Sequence, residues 1–154
     1  MKKLLGFCLI MILTSTVYAD TDVRYSFGDY RSTTLVTKAW EALDKKNLEA
    51  VVVYANKCIK LYAKQARGMQ SYLKDYHAGS NDDIFKYWAL NDVGTALFIL
   101  GEAYRIAGKN EEAIQAYKEL INEYFYAQCW DTKGWFWKPA PAAQKRIIEV
   151  ENAS

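Results

Sequence analysis

The stretch ALFILGEAYRIAGKNEEAIQAYKELINEY, residues 96–124, decides the fold. Leu97, Leu100 and Tyr104 recur at intervals of three and four, the period of one face of a helix rather than of a strand. Gly108 then breaks the run where a helix end favours glycine, and Asn110 stands where a new helix takes its cap. Glu111 and Glu112 follow in a first turn, where the helix dipole favours carboxylates. Ala113, Tyr117, Leu120, Ile121 and Tyr124 supply a second inward face, so the stretch reads as two helices joined by a tight turn, the second running from Glu111 to about Tyr126. Gly94 and Gly101, inside the first of them, mark close packing rather than a phosphate cradle.

Working outward, the first helix of the pair extends back through Val93, Trp88, Phe85 and Ile84 to a cap at Asn81 or Asp82, one long element ending at Gly108. Upstream, Ser32-Thr33 suit an N-cap, and Leu35, Ala39 and Leu43 line one face of a helix ending near Lys46. Asn47 caps another, with Ala50, Val53, Tyr54, Ile59 and Leu61, which continues at least to Ala66; its triple valine favours a strand by propensity, but the flanking spacing fits 3.6 better than 2. Gly68 and Gly79-Ser80-Asn81 punctuate the next stretch, with Met69 to Tyr76 as a weaker helical turn or a continuation. Downstream, Pro139 and Pro141 open a last helix whose apolar face is Ile147, Ile148 and Val150. No segment reads as a strand. The expectation is an all-α domain of about five helices over 32–154, closed by a C-terminal capping helix and preceded by a loose segment, 20–31.

Residues 96–124 resemble a tetratricopeptide repeat, with Leu97, Leu100, Gly101, Tyr104, Gly108, Ala113 and Tyr117 in one register. Leu120 departs from a usual small residue, and the proline that commonly ends the repeat is missing. A second copy lies over AWEALDKKNLEAVVVYANKCI, with Ala50 and Tyr54 matching Ala113 and Tyr117 and Cys58 opposite Ile121; the copies stand 63 residues apart, so the middle segment is irregular. The whole is similar to small exported bacterial repeat proteins. The resemblance implies that the first helix of the pair lines a concave surface, with Thr95, Phe98, Glu102 and Arg105 facing a bound peptide or partner helix.

Residues 1–19, MKKLLGFCLIMILTSTVYA, follow a secretory pattern: Lys2 and Lys3, an apolar run from Leu4 to Leu13, then Val17-Tyr18-Ala19, with cleavage expected after Ala19. A run of about ten apolar residues is half of what a bilayer of ~30 Å requires, so it reads as a removable address and not as an anchor. Cys8, behind bulky Phe7, lies inside the apolar run rather than at a lipidation site. Removal leaves 135 of 154 residues, enough for one core, with 18 basic against 18 acidic side chains. That neutrality argues against a nucleic-acid partner, which calls for a clustered basic face. Two cysteines remain, Cys58 and Cys129, in an oxidising compartment. Two readings stay open: a disulfide closing a loop of about seventy residues, stabilising by roughly 4 kcal/mol, or two small buried apolar side chains.

Catalytic chemistry finds little support. His77, the one histidine, sits beside glycine and serine with no readable partner to orient it. There is no Cys-x-x-Cys, no His-x-x-x-His, no calcium-loop string and no Gly-x-Ser-x-Gly elbow, so neither a metal nor another cofactor is expected; Asp82-Asp83 is more simply a helix start. The aromatic stretch CWDTKGWFWKPAP, residues 129–141, has two readings. Trp130, Trp135 and Trp137 either cap the open end of the helical stack or offer a stacking face; Trp135 and Trp137, if extended, are expected on opposite sides, one on the core and one in water. The expected function is therefore an exported scaffold or adaptor, not an enzyme, that binds another envelope or secreted protein or peptide. The alternative is a glycan or cell-wall binding module, accessory to a carbohydrate-active enzyme, using the tail tryptophans.

Overall fold

The computed structural model describes residues 24–153. The secretory pattern at residues 1–19 lies outside them, as do residues 20–23. The described residues form six helices and one small hairpin: α1 (Ser32–Asp44), α2 (Leu48–Ser71), α3 (Asn81–Phe85), α4 (Trp88–Ile106), α5 (Asn110–Glu123), β1 (Cys129–Asp131), β2 (Trp135–Trp137) and α6 (Pro139–Asn152). The all-α expectation and the C-terminal helix hold. The hairpin is a correction, since no strand was expected; β1 and β2 pair antiparallel with Cys129 opposite Trp137 and Trp130 opposite Phe136.

The centre of the fold is α4. From Ala89 to Ala103 almost every side chain is buried, and α1, α2, α5, α6 and β1 all pack on it. Its residues Leu90, Val93, Ala96, Leu97, Ile99, Leu100 and Ala103 are apolar on all sides, the pattern of a helix enclosed by neighbours rather than laid on a surface. Two glycines set how closely those neighbours come. A Cβ on Gly101 would lie 2.3 Å from the Tyr117 ring of α5, and one on Gly94 would lie 2.4 Å from the Ala127 Cβ, where the chain leaves α5 and crosses α4.

The two tight helical turns close alike. Lys46 (φ 56°) and Gly108 (φ 71°) take the left-handed conformation. Behind them the Asn47 amide donates to the Ala42 carbonyl and the Lys109 amide to the Tyr104 carbonyl, satisfying carbonyls that a helix end leaves open. Asn47 also caps α2 as expected, accepting from the Ala50 amide.

Of the two readings of the stretch from Met69, the continuation holds as far as Ser71: α2 runs through Gly68 with open space beside the glycine. Three other readings differ from expectation. The expected single helix from Asn81 to Gly108 is two, because α3 stops at Phe85 and α4 starts at Trp88; Ser80 and Asp83 form a reciprocal capping box that nucleates the short piece. Residues 24–31 are docked rather than loose: Tyr25 and Phe27 are buried against the Tyr54 ring at 5.8 and 5.9 Å, and Tyr62 donates to the Tyr30 carbonyl. In α6, Ile147 and Val150 face inward with Ala140 and Ala143, but Ile148 is 58% exposed, one position off that stripe.

Candidate functional site

One face of α4 carries Asn91, Thr95, Phe98 and Glu102, spaced four, three and four apart. Each meets a successive piece of the chain beyond α5. Asn91 accepts from the Gln128 amide and donates to the Ile84 carbonyl. Thr95 donates to the Asn91 carbonyl and lies against the Cys129 Sγ. Phe98 packs edge-on to Trp137 at 5.0 Å. Glu102 accepts from Tyr117 and Arg105 and, across from α6, from Arg146 at 3.0 Å.

This corrects the expected partner surface. Thr95, Phe98 and Glu102 are buried, and Arg105 is committed to Glu102, so the chain's own tail covers most of the stripe, leaving only Asn91 and Thr95 at the wall of a neighbouring cleft. The physical reason is that the chain beyond α5 folds back across this face and brings a partner to each polar group, so that Asn91, Thr95 and Glu102 are buried with their hydrogen bonds made. Glu102 is an internal staple. Burial alone raises a carboxyl, but the hydrogen bonds from Arg105 and Tyr117 and the two guanidinium charges outweigh it and hold Glu102 below the ordinary glutamate range.

The hairpin has two different faces. Cys129 and Trp137 point to α4; Trp130 and Phe136, paired across the strands, stack with Phe85 at 5.5 and 5.1 Å. Trp135 and Trp137 do not point to opposite sides, because alternate residues of a strand share one face. What separates them is position along the ribbon: Trp137 at its root is half-buried, whereas Trp135 beside the Gly134 turn is 52% exposed. Trp130 is 42% exposed, so the stretch is both a lid on the core and a displayed aromatic surface.

Cys58 and Cys129 are both buried free thiols, in α2 and β1, and do not bridge. Burial and the nearby Asp92 carboxylate push the Cys58 thiol far above its usual range; burial drives Cys129 up to about 12 despite the Thr95 hydroxyl. His77 packs its ring on Tyr87 at 4.8 Å, and its carbonyl accepts from Gln128. Among the described residues no three histidine, cysteine or carboxylate groups cluster as a metal site. No helix among them is long and apolar enough to cross a membrane.

Between α1, the N-terminal half of α4 and the hairpin lies a cleft of about 720 Å³. Trp40 on α1, Trp88 on α4 and Trp130 and Trp137 on the hairpin are among its six aromatic rings. Asp92 reaches it from α4, accepting from the Ser32 hydroxyl at 2.5 Å. Burial pushes this carboxyl up to about 6, the hydroxyl offsetting only part of the effect. No sequence signal joined these residues: Trp40 and Asp92 read as ordinary helix positions, and only the packing of α1 beside the hairpin brings them together.

The fold and site define an all-α protein with a cleft of mixed aromatic and polar lining beside its central helix. The chain matches no family model, and no curated protein or solved structure matches it.

Proposed function

We propose that the protein is an exported interaction module of tetratricopeptide type, which acts by holding a segment of another protein in the cleft between α1, α4 and the hairpin. The observation that carries this reading is the cleft itself, whose volume of about 720 Å³ falls in the range of sites that enclose a ligand, with exposed aromatic side chains at its rim. Aromatic anchors beside a polar surround are what protein interfaces use for affinity. The secretory pattern of residues 1–19 supports export, and the alike closure of the α1–α2 and α4–α5 turns supports the repeat. The chemistry-bearing groups favour binding over catalysis, since His77 is stacked, both thiols are held protonated by burial, and Glu102 is spent on two arginines. Its place of action is therefore the periplasm or the exterior.

The mature chain, immobilised and exposed to envelope extract, is expected to retain a protein that a Trp40→Ala variant no longer retains. Retention unchanged by Trp40→Ala counts against the cleft. A second reading, glycan or cell-wall binding, draws on the exposure of Trp130 and Trp135. Saturable sugar binding that quenches tryptophan fluorescence and is abolished by Trp135→Ala would replace the first reading with this one.

A further inference from the structure

The charge around the cleft is one-sided. Glu41 and Asp44 on α1, Asp92 on α4 and Asp131 on β1 all line it, and no lysine, arginine or histidine does. Among the described residues none of these four carboxylates takes part in an ion pair, although Asp29, Glu49, Asp83, Glu102 and Glu149 each do. The mature chain as a whole balances 18 basic against 18 acidic groups, so the acids of the cleft are a local concentration whose counter-charges lie elsewhere. A cleft lined with one sign of charge focuses its field on whatever enters. The rings between the carboxylates act in the same direction, because an aromatic face carries a negative quadrupole that attracts cations.

We infer that the cleft takes a basic segment of a partner protein, seating lysine or arginine side chains between the aromatic rings and the carboxylates of Asp92 and Asp131. The inference rests on the interaction-module reading above and names the chemistry of the occupant. The site suits a peptide more than an isolated amine, since its acids come from three separate elements and Glu41 and Asp44 stand exposed at its edge, where an extended chain would pass. Asp92 is the inner reader of charge. Its carboxylate is half-buried, with the Ser32 hydroxyl as its hydrogen-bond donor and no cation paired to it among the described residues, a state that an incoming ammonium or guanidinium group improves.

Tryptophan fluorescence titration of the mature chain with four probes tests this: capped tetralysine, capped tetraserine, capped tetraglutamate and chitotetraose. Tetralysine is expected to bind saturably, more weakly as salt rises, and at least tenfold more weakly to Asp92→Asn and to the double variant Glu41→Gln/Asp44→Asn. Glu41 and Asp44 are exposed, so that double variant keeps the fold, which a thermal melt checks. A control with the same loss of charge, Glu119→Gln/Glu123→Gln on α5, should change the affinity less than twofold. Failure of tetralysine to saturate, or affinity unchanged in both cleft variants, overturns the inference. Tetraserine or tetraglutamate binding in its place overturns the basic occupant and leaves the interaction module standing, whereas binding of chitotetraose alone overturns both.

Discussion

Asp92 and Glu102 stand ten residues apart on the same central helix, and their surroundings give them opposite roles. Glu102 meets two guanidinium groups and a tyrosine hydroxyl, so its charge is satisfied and fastens α4 to α5 and α6. Asp92 meets one hydroxyl, with the Cys58 and Cys129 thiols as its other titratable neighbours, and is pushed up to about 6 from 3.8. The native state therefore holds the Asp92 proton more tightly than the unfolded chain does, and stability from this group falls as pH rises from about 4 to 6, with the full penalty above 6. Asp92→Asn removes that penalty. Denaturant unfolding is expected to find the variant about 1–2 kcal/mol more stable than the parent at pH 7.5, taking the shift at ~1.4 kcal/mol per pH unit and discounting for partial exposure, with no gain near pH 3.5. A residue that costs stability and sharpens binding is a common property of sites.

At the scale of elements, the helices that were legible are those whose ends carry local chemistry. Asn47 caps α2 through its own side chain, Gly108 closes α4, and Pro139 opens α6, each a signal contained in a few residues. Gly68 left two readings open because glycine is ambiguous: it ends a helix when the backbone needs a left-handed turn, and here α2 runs through it in ordinary helical conformation. The break between α3 and α4 was hidden because Ile84, Phe85 and Trp88 keep helical spacing across it. The two kinds of helical glycine separate in a direct experiment. Gly68→Ala, whose new methyl would meet nothing within 4 Å beyond its own stretch of helix, should raise stability by about 0.5–1 kcal/mol. Gly101→Ala, whose Cβ would sit 2.3 Å from the Tyr117 ring, should lower it by about 1–3 kcal/mol. Equal effects in a denaturant series would refute the packing assigned to α4 and α5.

Across the whole molecule, the tail decides what the helices expose. By crossing α4 at Gly94, laying the hairpin over Thr95 and Phe98 and anchoring α6 through Arg146, it fills a face that α4 and α5 alone would leave open, and the available surface is the cleft beside α1. In this arrangement Cys58 and Cys129 are buried, unbridged thiols. Unfolding a non-reduced chain that begins at residue 20 should therefore release two titratable thiols, while the folded protein should react with neither at neutral pH; a count of zero after unfolding would mean that the chain is bridged. Periodicity, caps and the glycine and proline positions determined that this chain is helical, where most helices begin and end, and that α4 is apolar enough to need cover. Those are properties of a residue and its near neighbours along the chain, set by side-chain spacing and backbone preference. That the aromatic runs on either side of residues 132–134 pair as a hairpin was a local signal left unread. Which segment supplies the cover, and that Trp40, Asp92 and Asp131 share one cleft, were decided only by tertiary structure, because contacts between residues so far apart depend on how all the elements pack at once.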